Sequence, residues 1–245
     1  MGVMPEESTP DGVPQRLVNA TIKLLAEVGP SAIKARAVAT EAGMSTMTVY
    51  HHFGGVPELI HAVVDHGYAA MERAFAELSI TADPVADLFS MALATREIAR
   101  TNPHLYDLMF GLSTRATYRP TPDKDVRRSG HSPAFQAAYR HVTDACIRLM
   151  ESGRVDAQDP RVVAAATWSF VHGYITLELG DHFTEFDDPV AQVMVPMGVT
   201  FAIGLGDAPE RARASHETVL ALSRRSGKQA ARPGRSARAP RSRAR

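Results

Sequence analysis

The sequence predicts an all-α protein with a small N-terminal helical domain and a larger C-terminal one. The chain has 245 residues, 44% hydrophobic and 22% charged, which is ordinary for a folded protein and long enough for two domains. Apolar residues recur at helical spacing, and prolines follow capping residues at several points. No run alternates between apolar and polar residues in the way that a half-buried strand does.

The first helix is predicted from one apolar stripe followed by a stop signal. The stripe consists of Leu17, Ala20, Leu24, Leu25 and Val28. Gly29 and Pro30 end the helix. A second short helix is predicted at 35–42, before Gly43, and a third begins at Ser45 or Thr46, where a hydroxyl can cap free N–H groups, and ends at Phe53.

The remaining helices follow from proline and glycine punctuation. "ADP" at 82–84 and "NP" at 102–103 each pair a cap with a first-turn proline. The predicted helices are 57–78, 85–101, 104–110, 133–153, 160–182, 189–206 and 209–223. The polar segment 111–132 is predicted to be a loop.

Two short helices joined by a tight turn at Gly43 indicate a helix-turn-helix, whose second helix enters the DNA major groove. Small side chains on that helix allow close approach, Met47 can contact a thymine methyl, and Tyr50 can bond to phosphate. Val49 and Phe53 are expected to face inward. The predicted DNA-contacting residues are Lys34, Arg36, Ser45, Thr46, Met47, Thr48, Tyr50, His51 and His52.

Residues 16–67 resemble the N-terminal domain of the tetracycline-repressor (TetR) family, through "LVNATIKLLAEVG", "VATEAGMS" and "MTVYHHF" in order. "WSFVHGYITLEL", beginning at Trp168, resembles a Trp-x-x-x-His-Gly signature of one C-terminal subgroup. The resemblance implies three DNA-binding helices and a C-terminal helical domain that dimerises and holds a small molecule. Family members often carry a lysine where this chain has Val56, and a basic residue where it has Thr46.

Charge is distributed unevenly along the chain. Residues 224–245 hold nine Lys or Arg and no acidic residue, so the rest of the chain is formally −9. Residues 14–60 hold four basic and three acidic side chains, a weak footprint for a DNA-binding domain. The tail is predicted to be disordered, either as a solvated extension or as an arm that contacts DNA phosphates.

The predicted domains are a disordered segment 1–13, a helix-turn-helix domain 14–60, a ligand-binding and dimerisation domain 61–223, and the basic tail 224–245. Helices 160–182 and 189–206 are apolar on several faces, so packing against a second copy is expected, with a buried monomer core as the alternative. A ligand cavity between helices is predicted to be lined by Met91, Thr95, Met109, Phe110, Tyr139, Trp168 and His172, with an ordinary core position as the alternative for each of them.

These features predict a homodimeric, ligand-responsive regulator on a palindromic operator, acting as a repressor, with an activator left open. The effector is expected to be small and largely apolar. The alternative is a helical small-molecule-binding dimer with weak or non-specific DNA contact, motivated by Val56.

Enzymatic, metal-binding and membrane functions are not predicted. His51 and His52 are adjacent and point about 100° apart on a helix, which does not suit a shared metal ion. Cys146 is the single cysteine and has apolar neighbours, which indicates a core position in a reducing cytoplasm. No nucleophile or phosphate-loop motif is present, and no cofactor is expected. The apolar run 162–179 contains His172 and Glu178 and is interpreted as a buried helix.

Overall fold

The structure is a computed structural model that describes residues 12–110 and 132–230. Within these ranges the regular elements are helical and no strand occurs. The helices are α1 Val13–Val28, α2 Ala35–Glu41, α3 Thr46–Phe53, α4 Val56–Ala76, α5 Pro84–Thr101, α6 Pro103–Phe110, α7 Pro133–Glu151, α8 Pro160–Leu179, α9 Val195–Gly204 and α10 Pro209–Ala230. The prediction of an all-α fold is therefore confirmed.

Helix boundaries follow the glycines and caps that the sequence indicated. Gly29 adopts a φ of 92° and its N–H bonds back to the carbonyls of Leu24 and Leu25, which ends α1. The Asp83 side chain caps α5 by accepting from the N–H groups of Val85 and Ala86. At the start of α3, Ser45 makes no such cap; its hydroxyl instead lies 3.0 Å from that of Thr48.

The apolar stripe predicted for α1 is wrong at its last residue. Val28 is exposed, because it ends the helix beside the Gly29 turn. Thr21 takes a core position, and its buried hydroxyl is satisfied by donating to the carbonyl of Leu17 at 2.8 Å. A polar residue thus belongs to the core where local hydrogen bonding removes the cost of its burial.

Two C-terminal elements differ from the predicted helices. The helix expected at 189–206 begins as a π-helical turn, Val190–Met194, which continues into α9. Helix α10 continues to Ala230, past the predicted end at 223, so residues 224–230 are helical rather than disordered. The Arg224 guanidinium pairs with the Asp188 carboxylate, and lysine, glutamine and alanine beyond it favour helix.

Some predictions lie outside the described residues. These are residues 1–11 of the N-terminal segment, 111–131 of the loop and 231–245 of the basic tail.

Helices α1 to α3 pack on the first half of α4, and the same hydrophobic core continues along α4 into α6 and α7. The fully buried residues of this core include Leu17, Leu25, Val38, Val49, Leu59, Val63, Met71 and Met109. Helix α4 thus crosses the domain boundary predicted at residue 60. A second cluster joins α5, α6 and α8 to Val190, Met194 and α10. Because one core is continuous, the N-terminal helices are fixed relative to the C-terminal ones.

Ion pairs of a buried arginine connect the residues just before α5 and α10. Arg154 is buried and pairs with the carboxylates of Asp83 and Asp207, and it also donates to the Ser215 hydroxyl at 3.1 Å. These contacts fix the starts of α5 and α10.

Among the described helices, none combines the length and apolarity needed to span a membrane.

Candidate DNA-binding surface and ligand-binding cluster

Helix α3 is anchored on one side and exposed on the other. Gly43 turns the chain with a φ of 67°, and the Met44 N–H bonds to the Ala39 carbonyl at 2.8 Å. Val49 is completely buried and Phe53 is half-buried against the core, which confirms the expected inward orientation. On the outer side, Met47 is 72% exposed and Tyr50 is 50% exposed.

The remaining predicted DNA-contacting residues also reach the surface. Lys34, Arg36, Ser45, His51 and His52 are exposed, while Thr46 and Thr48 are half-buried. Val49 therefore sets the orientation of α3, and the predicted contact residues of α3 are exposed or half-buried.

The basic residues of this region fall into two pairs. Arg16 donates to the Ala42 carbonyl at 3.0 Å, and Lys23 pairs with Glu41 at 2.7 Å, which raises the pKa of Lys23. Both contacts hold the end of α2. Lys34 and Arg36 form no ion pair with any described residue. Of the four basic residues in 14–60, Lys34 and Arg36 are therefore the two whose charged groups have no partner within the described structure.

A second candidate site is an aromatic cluster between α6, α7 and α8. Its members, called the aromatic cluster below, are Tyr106, Phe110, Phe135, Tyr139, Trp168 and His172. The His172 ring lies 4.1 Å from Phe110 and 4.2 Å from Trp168, between centroids. The Tyr106 hydroxyl lies 2.6 Å from His172 Nδ1, which is a short hydrogen bond.

His172 is the chemically distinctive member of the cluster. The residue as a whole is half-buried, but its Nε2 is buried and has no hydrogen-bond partner. Burial lowers the pKa of His172 to about 3 and raises the pKa of Tyr106 above its usual value. Both groups are therefore neutral near pH 7, and an unsatisfied nitrogen lies among apolar rings.

A small cavity adjoins the cluster at Trp168. It has a volume of about 10 Å³ and is lined by Phe75, Leu88, Met91, Ala92, Thr95, Val142, Thr167, Trp168 and Val171. A neighbouring cavity of about 40 Å³ shares four of these residues and extends to α9 and His216. The Thr95 hydroxyl already donates to the Met91 carbonyl, so the smaller cavity presents mainly apolar surface.

The predicted ligand-contacting residues are divided by the fold. Met91, Thr95 and Trp168 line the smaller cavity, while Phe110, Tyr139 and His172 belong to the aromatic cluster. Met109 lies elsewhere, packed against Gly67 of α4.

The pattern of the sequence did not predict Tyr106 and Phe135 as members of this cluster. The available signal was the i, i+4 pairing of Tyr106 with Phe110, which matches that of Trp168 with His172.

Helix α6 connects this cluster to the N-terminal helices. A Cβ on Gly29 would lie 3.5 Å from the His104 ring, so the start of α6 packs against the end of α1. A Cβ on Gly67 would lie 2.5 Å from the Met109 sulfur, so the end of α6 is in close contact with α4. Tyr106 and Phe110 on the same helix face His172.

Among the described residues, helices α8 and α9 leave an apolar face uncovered. The exposed residues of this face include Val162, Leu177, Met197 and Ile203. Gly173 and Gly204 have no side chain or neighbouring backbone within reach of an added Cβ.

The described residues contain no group of histidine, cysteine and acidic side chains that could hold a metal ion. Cys146 is buried, which raises its pKa to about 11.

Two family models match the chain. Residues 17–63 match bacterial regulatory proteins of the tetR family, and residues 88–197 match the C-terminal domain of tetracycline-repressor-like proteins. No curated protein matches the chain.

Solved structures share the fold. A Rhodococcus sp. RHA1 protein of unknown function has a TM-score of 0.63 at 22% identity, covering 84% of this chain and 100% of that one. RolR in complex with resorcinol has a TM-score of 0.56 at 16% identity, covering 83% and 92%. A TetR-family regulator from Shewanella sp. PV-4 has a TM-score of 0.55 at 16% identity, covering 86% and 98%. With both parts of the chain matched, the protein belongs to the TetR family of transcription regulators.

Proposed function

We propose that the protein is a homodimeric repressor that binds a palindromic operator through α3 and is released by a small, largely apolar effector. The observation that carries this proposal is the orientation of α3. Its apolar anchor Val49 is buried, while Met47 and Tyr50 point outward from the same short helix. A helix held in this way can enter a major groove without unfolding or rearranging.

The roles proposed on α3 follow from side-chain chemistry. Met47 contacts a base edge through apolar atoms, and Ser45, Thr46 and Thr48 approach bases or phosphates closely. Tyr50, His51 and His52 bond to phosphate oxygens. Lys34 and Arg36 at the start of α2 supply the positive charge that phosphate binding requires.

The proposed dimer forms through residues 160–182 and 189–206. The exposed apolar face of α8 and α9 needs a cover, and the small residues Gly173 and Gly204 permit close approach of a second copy. Such a dimer would present two α3 helices to major-groove segments about 34 Å, or a multiple of that, apart. A repressor of this kind works on chromosomal DNA in the cytoplasm.

Release of the protein from its operator is proposed to depend on movement of α6 as well as of α4. An effector in the aromatic cluster displaces Tyr106 or Phe110, and the contacts of α6 with Gly29 and Gly67 carry that displacement to α1 and α4. The effector weakens operator binding only by its preference for the altered spacing of the two α3 helices.

Selection of bound sequences from random DNA tests the proposal. The wild-type protein is expected to enrich a palindrome. Met47→Ala is expected to relax the preference at the contacted base pair, while Ile80→Ala, which also removes an exposed apolar side chain, should leave it unchanged. A screen of small aromatic compounds for operator release then tests the effector class. Resorcinol is included because it is the ligand in the RolR complex.

The second candidate is a small-molecule-binding dimer with weak or non-specific DNA contact. It is favoured by the use of Arg16 and Lys23 in internal contacts and by Val56 at the start of α4. In the same selection it would give no enriched palindrome, and its DNA binding would fall steeply with salt. Truncation after Ala230, which removes six arginines, would then abolish most of that binding.

A further inference from the structure

The unsatisfied Nε2 of His172 is the feature that the described fold does not account for. A buried polar nitrogen without a partner is unfavourable, and native structures retain few of them. It lies in a cluster that is in contact with both the cavity, through Trp168, and α6, through Tyr106. An atom in this position is suited to receive a ligand group.

The hydrogen bond from Tyr106 decides what that nitrogen can offer. If the phenol donates to Nδ1, the ring proton is on Nε2, and Nε2–H is a buried donor with no partner among the described residues. In the reverse arrangement Nδ1–H donates to the phenol oxygen, which leaves both the phenol proton and the Nε2 lone pair without partners among the described residues. The first arrangement leaves fewer unsatisfied groups, so Tyr106 fixes His172 as a donor through Nε2.

The surroundings limit the charge of the ligand. No member of the aromatic cluster is charged near pH 7, since His172 and Tyr106 are both neutral. The Arg96 guanidinium, which joins α5 to α8, is held by Glu178 through two bonds of 2.7 Å. A carboxylate in the cluster would be desolvated with only neutral donors among the cluster's side chains, which is unfavourable.

The size of the space limits the ligand as well. The cavity beside Trp168 has room for no more than about one water molecule, so a larger ligand must displace side chains. Phe75, Trp168, Met91 and aliphatic side chains form most of the cavity wall, and methionine adapts readily to a new neighbour. Flat, apolar molecules are therefore favoured.

We infer that the effector is a small, neutral, aromatic molecule with a hydrogen-bond acceptor oxygen, which accepts from Nε2–H of His172, and that Tyr106 selects for acceptors by fixing the tautomer. This inference rests on the proposed function, because it names the class of effector for the proposed ligand site. His172 contacts the ligand, whereas Tyr106 is a positioning residue.

The test compares two probes of similar shape, acetophenone, which has an acceptor oxygen, and cumene, which has none. Their affinities for the purified full-length protein are measured by calorimetry in the absence of DNA. The wild-type protein is expected to bind acetophenone about tenfold more tightly than cumene. In His172→Phe the two affinities become about equal while cumene binding is retained, because only the donor is lost.

Tyr106→Phe provides a second, milder variant. It keeps the imidazole but removes the hydrogen bond that fixes its tautomer. The ratio of acetophenone affinity to cumene affinity is therefore expected to fall well below the wild-type value. Nitrogen NMR of the imidazole should show that the proton is no longer confined to Nε2.

Several results would overturn the inference. These are equal affinities for the two probes in the wild type, a ratio that survives in His172→Phe, tighter binding of benzoate than of acetophenone, and no acetophenone binding at its solubility limit.

The outcomes also separate this inference from the proposed function. A tenfold preference without any effect on operator binding would contradict the proposed release mechanism alone. Operator release by compounds without an acceptor would contradict the inference alone.

Discussion

The α3 surface and the aromatic cluster contain the same pair of residue types in opposite environments. On α3, Tyr50 is half exposed beside His51 and His52, whose rings lie 4.9 Å apart. In the cluster, Tyr106 is almost completely buried and bonds to His172 at 2.6 Å. In the proposed DNA complex, exposure would let the side chains of α3 adjust to phosphates. The enclosed side chains of the cluster are held in one geometry and one protonation state, which is what selection among small molecules requires.

The largest expected effect tests a third surface, the exposed face of α8 and α9. Leu177→Arg combined with Met197→Arg places two charges on the proposed dimer interface. The protein should become monomeric by light scattering, and operator affinity should fall by about 10²–10⁴, because the second half-site contact is lost.

Ile80→Arg is the matched control for this double variant, since it adds a charge at an exposed apolar position on the segment between α4 and α5. It should leave the protein dimeric. A double variant that stays dimeric would place the dimer interface elsewhere.

The next prediction concerns the contact between α4 and α6, which connects the aromatic cluster to the N-terminal helices. Gly67→Ala forces a Cβ against the buried Met109 sulfur and should lower the free energy of unfolding by about 1–3 kcal/mol, measured in urea. Adding Met109→Ala should make the combined loss smaller than the sum of the two single losses, since the clash is removed. Additive losses would show that α4 and α6 are not in close contact there.

The two environments should also respond differently to pH. Burial lowers the pKa of His172 from 6.5 to about 3, so its neutral form stabilises the fold fully above pH 6.5, and this contribution is lost as the pH falls toward 3. Between about pH 7.5 and about pH 5 the wild type should lose about 2 kcal/mol more stability than His172→Phe.

His51→Phe, which replaces an exposed histidine, is the matched control for the pH experiment and is expected to keep the wild-type loss. Equal losses in the wild type and His172→Phe would mean that the imidazole protonates in the folded protein.

The orientation of α3 could be predicted because one short helix contains both its buried residue and its exposed ones. Helical periodicity places Val49 on a different face from Met47 and Tyr50, and no long-range contact is needed to orient them. The Gly29 and Gly43 turns are also local and were found where the residues indicated.

The aromatic cluster could be predicted only in part. Trp168 and His172 share a helix face, but the contact between Tyr106 and His172 joins residues far apart in the chain and depends on the packing of α6 against α8. No local pattern shows which nitrogen of a histidine will lack a partner. The same reason explains Met109, whose apolar character fits either a cavity wall or the contact with Gly67.

The most direct test of the account is a crossed comparison of Tyr50→Phe and Tyr106→Phe, with operator and acetophenone affinities measured for each. Tyr50→Phe should weaken operator binding by about fivefold to tenfold, through one lost hydrogen bond, and leave acetophenone binding unchanged. Tyr106→Phe should weaken acetophenone binding and leave operator affinity, without ligand, unchanged. If Tyr50→Phe alters only acetophenone binding, or Tyr106→Phe alters only operator binding, the assignment of the two sites is wrong.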